Sequence, residues 1–120
     1  MNKNDYQQLR TLYSALQQRC REVGKKLKKL NWVYGDEYAE YSPCGDEIEC
    51  RAFDKWDYEY YTEYFPAYFL WSTDEEIDQY VSDELRKIEE KEMAEKQRQA
   101  EKELREKQAQ YEKLKKELGL

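Results

Sequence analysis

Eight apolar residues near the start of the chain, Tyr6, Leu9, Tyr13, Leu16, Cys20, Val23, Leu27 and Leu30, stand at alternating intervals of three and four. A strand repeats every two residues and cannot gather such a set on one side. A helix with ~3.6 residues per turn does so directly. The chain is therefore expected to open with an amphipathic helix over residues 5–30, about 39 Å long, with Leu12 widening its stripe. Asn4 or Asp5 can cap the first turn, Lys25, Lys26, Lys28 and Lys29 suit the negative end of the dipole, and Asn31 can stop the helix. Leu16 and Leu27 are expected to be buried. Gly24 inside the helix costs about 1 kcal/mol relative to Ala and marks a place for close contact.

Residues 32–71 change character. Short strand-like runs at 37–41, 47–53, 58–65 and 67–71 are separated by Ser42-Pro43-Cys44-Gly45-Asp46 and by residues 54–57, which predicts an antiparallel sheet of three to four strands joined by hairpins. A further short strand at 32–34 fits the same pattern, with Gly35-Asp36 as its breaker, and Pro66 suits a bend. Alternation puts Ile48, Cys50 and Ala52 on one face with Glu47, Glu49 and Arg51 on the other. It also groups Tyr58, Tyr60, Thr62 and Tyr64 inward, against Asp57, Glu59, Tyr61 and Glu63 outward. The expected sheet has an aromatic inner face and a carboxylate outer face.

From residue 74 to 118 the pattern predicts one long helix of roughly 68 Å, opened by Ser72 and a Thr73-x-x-Glu76 box. Ile77, Tyr80, Val81, Leu85 and Ile88 form a stripe that can cover the sheet. Beyond Ile88 the stripe rotates, and only a thin seam of Ala100, Leu104, Tyr111, Leu114 and Leu118 remains, supported by i,i+4 pairs such as Glu101/Arg105. The fold class is α+β: a globular part over 1–90, comprising the first helix, the sheet and the start of the long helix, and a charged helical extension over 91–120.

Charge is sorted along the chain. Residues 1–31 carry eight Lys/Arg against two acids, residues 32–84 two against sixteen, and residues 85–120 eleven against nine, so a net charge of −6 contains a −14 middle. Nine of the twelve tyrosines and all three tryptophans lie in that acidic middle. Association with long nucleic acid is disfavoured, because counterion release would have to overcome that repulsion. The basic run Arg19, Arg21, Lys25, Lys26, Lys28 and Lys29 reads as a solvated face with dipole compensation.

Catalytic and metal chemistry find little support. The chain has no His, the commonest general base and metal ligand. Its three cysteines, Cys20, Cys44 and Cys50, lack a Cys-x-x-Cys pair, so no zinc site is expected. They read as free thiols, although Cys44 and Cys50 flank a turn and could pair if oxidised. Neither a phosphate loop, nor a nucleophile elbow, nor an EF-hand spacing is present. We expect no enzyme and no cofactor. No apolar run reaches the ~18 residues of a membrane span, and residues 1–5 carry no apolar signal core, so a cytoplasmic protein is expected.

The acidic, aromatic middle is the remaining feature. Alternate carboxylates on a strand recur every ~6.6–6.8 Å, so Asp57, Glu59 and Glu63 beside Glu47 and Glu49 would form a dense negative lattice. Asp74 and Glu75 would extend it, and Tyr61 would serve as an apolar anchor. In composition the segment resembles the small acidic inhibitors by which phages and mobile elements block host nucleic-acid-binding enzymes. That resemblance implies a DNA mimic with an anti-defence role in a host cytoplasm. The leading expectation is a non-enzymatic module binding a protein partner with a basic surface. A second is an oligomeric adaptor, most simply a homodimer, pairing through Leu9, Tyr13, Leu16, Val23 and Leu27 of the first helix and Leu104, Tyr111 and Leu114 of the second. A third is a protein binding a small nucleotide-like ligand in an aromatic pocket between sheet and helix.

Overall fold

The computed structural model describes residues 1–119. Helix α1 spans Lys3–Leu27. It starts two residues earlier than expected because Asn2, not Asn4 or Asp5, is the cap. The Asn2 side chain accepts the Asp5 N–H at 2.8 Å and the Asp5 carboxylate accepts the Asn2 N–H at 3.1 Å, a reciprocal box that satisfies two donors at once. The helix ends three residues early, in a turn where the Leu30 N–H donates to the Leu27 carbonyl at 2.9 Å. Asn31 does not act as the stop. Its side chain accepts the Val33 N–H at 3.0 Å and donates to Glu63 at 2.7 Å, which ties the following linker to the sheet.

Three strands follow: β1 (Glu40–Cys44), β2 (Glu47–Asp54) and β3 (Glu59–Pro66), antiparallel in the order β1-β2-β3. Strand β1 lies three residues beyond its expected place. Residues 32–34 are turn, not strand, because the chain reverses at Gly35 (φ 72°) and Asp36 caps the backbone of Tyr38. Pro43 and Cys44, expected to break the chain, belong to β1, an edge strand that tolerates proline. Only Gly45 and Asp46 form the loop, with Gly45 at φ 60° as a two-residue hairpin requires. The second loop is residues 55–58, and Tyr58 does not begin a strand but takes φ 55°. Residues 67–71 give no fourth strand; Ala67–Leu70 is a 3₁₀ turn, η1.

Sheet faces follow from the register. Tyr41 stands opposite Cys50, Ile48 opposite Phe65, and Ala52 opposite Tyr61, all on the face toward α1. The β2 alternation is as expected, with Ile48, Cys50 and Ala52 buried. That of β3 is the reverse of the expectation: Phe65 is buried while Tyr60, Thr62 and Tyr64 are exposed. Phe65 is the one aromatic side chain on β3 without a polar atom, and a tyrosine can leave its hydroxyl in water.

The core gathers Cys20, Val23 and Leu27 of α1, Val33, Tyr34, Tyr41, the inner face of β2, Phe65 and Phe69. Ile77 and Val81 come from helix α2, Asp74–Glu117. Its start is capped as expected: the Thr73 hydroxyl accepts the Glu76 N–H at 3.2 Å and donates to the Glu76 carboxylate at 3.1 Å. Arg19–Asp74 (3.1 Å) and Lys26–Asp78 (2.8 Å) join α1 to this first part of α2. The chain divides into two compact units, Met1–Leu85 and Arg86–Leu120. In the second, every described side chain is exposed, Ile88 included, and Glu101–Arg105 pairs at 3.9 Å.

The α1 seam is therefore split. Val23 and Leu27, named above as oligomer contacts, are buried inside their own unit, so they cannot serve that role. Leu16, expected to be a full core position, is only partly buried. Tyr6, Leu9, Leu12 and Tyr13 are 53%, 51%, 69% and 57% exposed.

All three thiols are free, and Cys44 and Cys50 cannot pair as they stand because they lie on opposite faces of the sheet. Burial pushes the Cys20 and Cys50 thiols up to about 11, away from the reactive thiolate at neutral pH. We predict that an aromatic disulfide reagent at pH 7 titrates one thiol in the native protein, that of Cys44, and three in denaturant. Fast reaction of a second native thiol would contradict this packing.

Candidate acidic-aromatic groove

The residues first expected to form one carboxylate lattice do not share a face. Glu47 and Glu49 lie on the outer face, opposite Pro66 and Tyr64. Glu59 and Glu63 alternate to the other side, where Glu63 is half-buried and holds Asn31. Asp57, in the second loop, accepts the Tyr61 hydroxyl at 2.6 Å, a bond that pushes the Tyr61 phenol up to about 12. Tyr61 is half-buried with its ring edge against Trp32 (5.2 Å), so it is an internal brace and not an exposed anchor. Asp74 is paired with Arg19, and Glu75 is exposed. The expected pocket between sheet and helices is filled: Phe65, Leu27 and Ile77 pack there at 2% exposure or less.

The outer face is mixed. Phe53 packs against Tyr60 at 5.1 Å with the two rings tilted by 53°, and the Arg51 guanidinium sits 4.0 Å over the Tyr60 ring. Glu49 stands opposite Tyr64 in the register, and its charge is the main cause that raises the Tyr64 phenol.

At the end of this face, two segments distant in sequence meet. Trp32, Asp36, Glu37 and Tyr38 from the α1–β1 linker and Phe53, Asp54, Lys55 and Trp56 from the second hairpin line an open groove of about 660 Å³. Each wall is built by the same device, an Asp-x-aromatic tripeptide. The Asp36 carboxylate accepts the Tyr38 N–H at 2.8 Å, and the Asp54 carboxylate accepts the Trp56 N–H at 2.8 Å. Such Asx turns fix the backbone beneath both aromatic residues. Phe53 is held by Tyr60, and Trp32 by Tyr61, which is in turn held by Asp57. Trp56 and Tyr38 are left 85% and 77% exposed.

The groove thus combines four aromatic rings with three carboxylates and one lysine. On its α1 side, Arg21 and Lys25 border Asp36 and Glu37 in a neighbouring depression. None of the eight lining residues was singled out as a site from the sequence. The signal that could have found them is the repeated Asp-x-aromatic element, Asp36-Glu37-Tyr38 and Asp54-Lys55-Trp56. Rings and carboxylates in one open concavity can hold a cation, by ring quadrupole and by charge-assisted hydrogen bonds. Among the described residues, no three His, Cys, Asp or Glu side chains gather in a way that could hold a metal ion, and no helix is long and apolar enough to cross a membrane. No family model, curated protein or solved structure matches the chain.

Proposed function

We propose that the chain is a non-enzymatic interaction protein that binds a basic protein partner through the acidic-aromatic groove and the adjoining outer sheet face. The observation that carries this reading is the groove itself, where Trp56 and Tyr38 stand exposed on fixed backbones among Asp36, Glu37 and Asp54. Exposed Trp and Tyr supply large contact area at low entropic cost, and the carboxylates select for positive charge. A partner that handles nucleic acid fits the −14 of residues 32–84, which makes an inhibitor the natural role. A regular DNA-like lattice gives that role no support, since Glu59 and Glu63 face away from Glu47 and Glu49. Action in the cytoplasm accords with three unpaired thiols.

The test is capture in parallel on the wild type and on a triple reversal, Asp36→Lys with Glu37→Lys and Asp54→Lys. A basic protein retained by the wild type and lost from the reversal, with circular dichroism unchanged, is the expected result. The same proteins on both baits would move the function away from the groove.

The uncovered half of the α1 seam favours a second reading, an assembly in which Tyr6, Leu9, Leu12 and Tyr13 meet a second copy. Leu104, Tyr111 and Leu114, all exposed, offer a second seam. We predict sedimentation as a dimer at micromolar concentration, shifting to monomer on Leu9→Glu with Tyr13→Glu. A wild-type monomer up to about 100 µM would remove the adaptor reading.

A further inference from the structure

The groove takes one kind of side chain better than others. We infer that it is the seat of an arginine from an exposed loop of the partner, its guanidinium laid on a groove indole and forked to a groove carboxylate. The inference rests on the reading of the groove as a partner site and adds the chemistry of what enters it.

Charge decides first. Asp36, Glu37 and Asp54 outnumber Lys55 in the lining. Arg21 and Lys25 border Asp36 and Glu37 from the neighbouring depression but do not line the groove, so its own charge favours a cation, with Asp54 the carboxylate outside that depression. Geometry then separates the two cationic side chains. An ammonium is compact and strongly hydrated, and an open groove cannot strip its water. A guanidinium is planar and weakly hydrated; it stacks on a ring with its flat face while its edge donates to carboxylates. The groove offers both surfaces together, with Trp32 and Trp56 as the best π faces and Asp36 and Asp54 each engaged by one backbone N–H. The chain already makes this contact next door. Arg51 lies 4.0 Å over Tyr60, and the Tyr60 ring packs at a tilt against Phe53, a wall of the groove.

The probes are tetra-arginine, tetra-lysine and tetra-citrulline, titrated into the intact protein while the three tryptophan indole N–H resonances are followed by NMR. Tetra-arginine should bind at least about tenfold more tightly than tetra-lysine, and tetra-citrulline, which keeps the planar shape without the charge, should not bind. The Trp32 and Trp56 resonances should move and that of Trp71, outside the groove, should stay. Trp56→Ala should weaken tetra-arginine about fivefold or more. Asp54→Asn, which keeps the oxygen that accepts the Trp56 N–H, should weaken it as well. Equal binding of the arginine and lysine peptides, or indifference to Trp56→Ala, would overturn the arginine seat while leaving a general acidic surface intact. Binding of neither peptide at low salt would also overturn it. The partner reading falls separately, on the capture experiment with the triple reversal.

Discussion

Phe65→Ala lowers the unfolding free energy by about 3–5 kcal/mol, a large share of the ~5–15 kcal/mol a domain possesses. Phe65 is 2% exposed and lies between Tyr34, Tyr41 and Phe69, with ring centroids at 6.2, 6.3 and 6.2 Å. Truncation removes an aromatic ring from the point where the sheet, η1 and the linker meet, and neighbours on three sides cannot all move in. Tyr60→Ala is the control. Tyr60 is on the same strand at opposite parity, exposed, with Phe53 and Arg51 as ring partners. Its loss should cost about 1 kcal/mol or less. Urea denaturation of both variants reads the parity of β3 directly; a mild Phe65→Ala beside a severe Tyr60→Ala would mean that the strand faces are exchanged.

Gly24→Val should destabilise by about 1–3 kcal/mol or more, although it removes a glycine from a helix interior. A β-carbon at position 24 would fall well inside contact distance of the Tyr41 hydroxyl and 3.1 Å from the Gly35 backbone nitrogen. Tyr41 is 3% exposed and its hydroxyl accepts the Gly35 N–H at 3.3 Å, so it has no free direction in which to yield. Even Gly24→Ala, which gains about 1 kcal/mol in helix propensity, should be a net loss. The hydroxyl is the obstacle, so Tyr41→Phe should make Gly24→Ala less costly than it is alone, a coupling that a double-mutant cycle measures. Additive effects would mean that α1 does not pass this close to the linker.

These two sites show where sequence suffices. The unusual glycine in a well-patterned helix announced a close approach, and the approach is there, to Tyr41 and Gly35. The 3-4 spacing located α1, Thr73 and Glu76 located the start of α2, and Ile48, Cys50 and Ala52 declared the inner face of β2 because one side of that strand is apolar and the other charged. Strand β3 carries no such contrast. Tyr, Glu and Thr occupy residues 59–64, tyrosine is at home on either face, and the parity is set by Phe65 near the strand's end. That single misassignment made five carboxylates look like one surface. The place of β1 was hidden because an edge strand accepts Pro43, which reads locally as a breaker. The groove was hidden for a different reason: register and the α1–β1 linker bring residues 32–38 to residues 53–56, and no periodicity records that meeting.

The claim that matters most is that an acidic, aromatic groove recruits a basic partner. The most direct measurement is the association rate of the captured partner as ionic strength is raised from about 50 to about 300 mM, where the screening length shortens from roughly 14 to roughly 6 Å. The account predicts that the association rate falls about tenfold or more while the dissociation rate changes little, because the carboxylates steer the encounter and the rings hold the complex. An association rate indifferent to salt, and unchanged by reversing Asp36, Glu37 and Asp54, would contradict it.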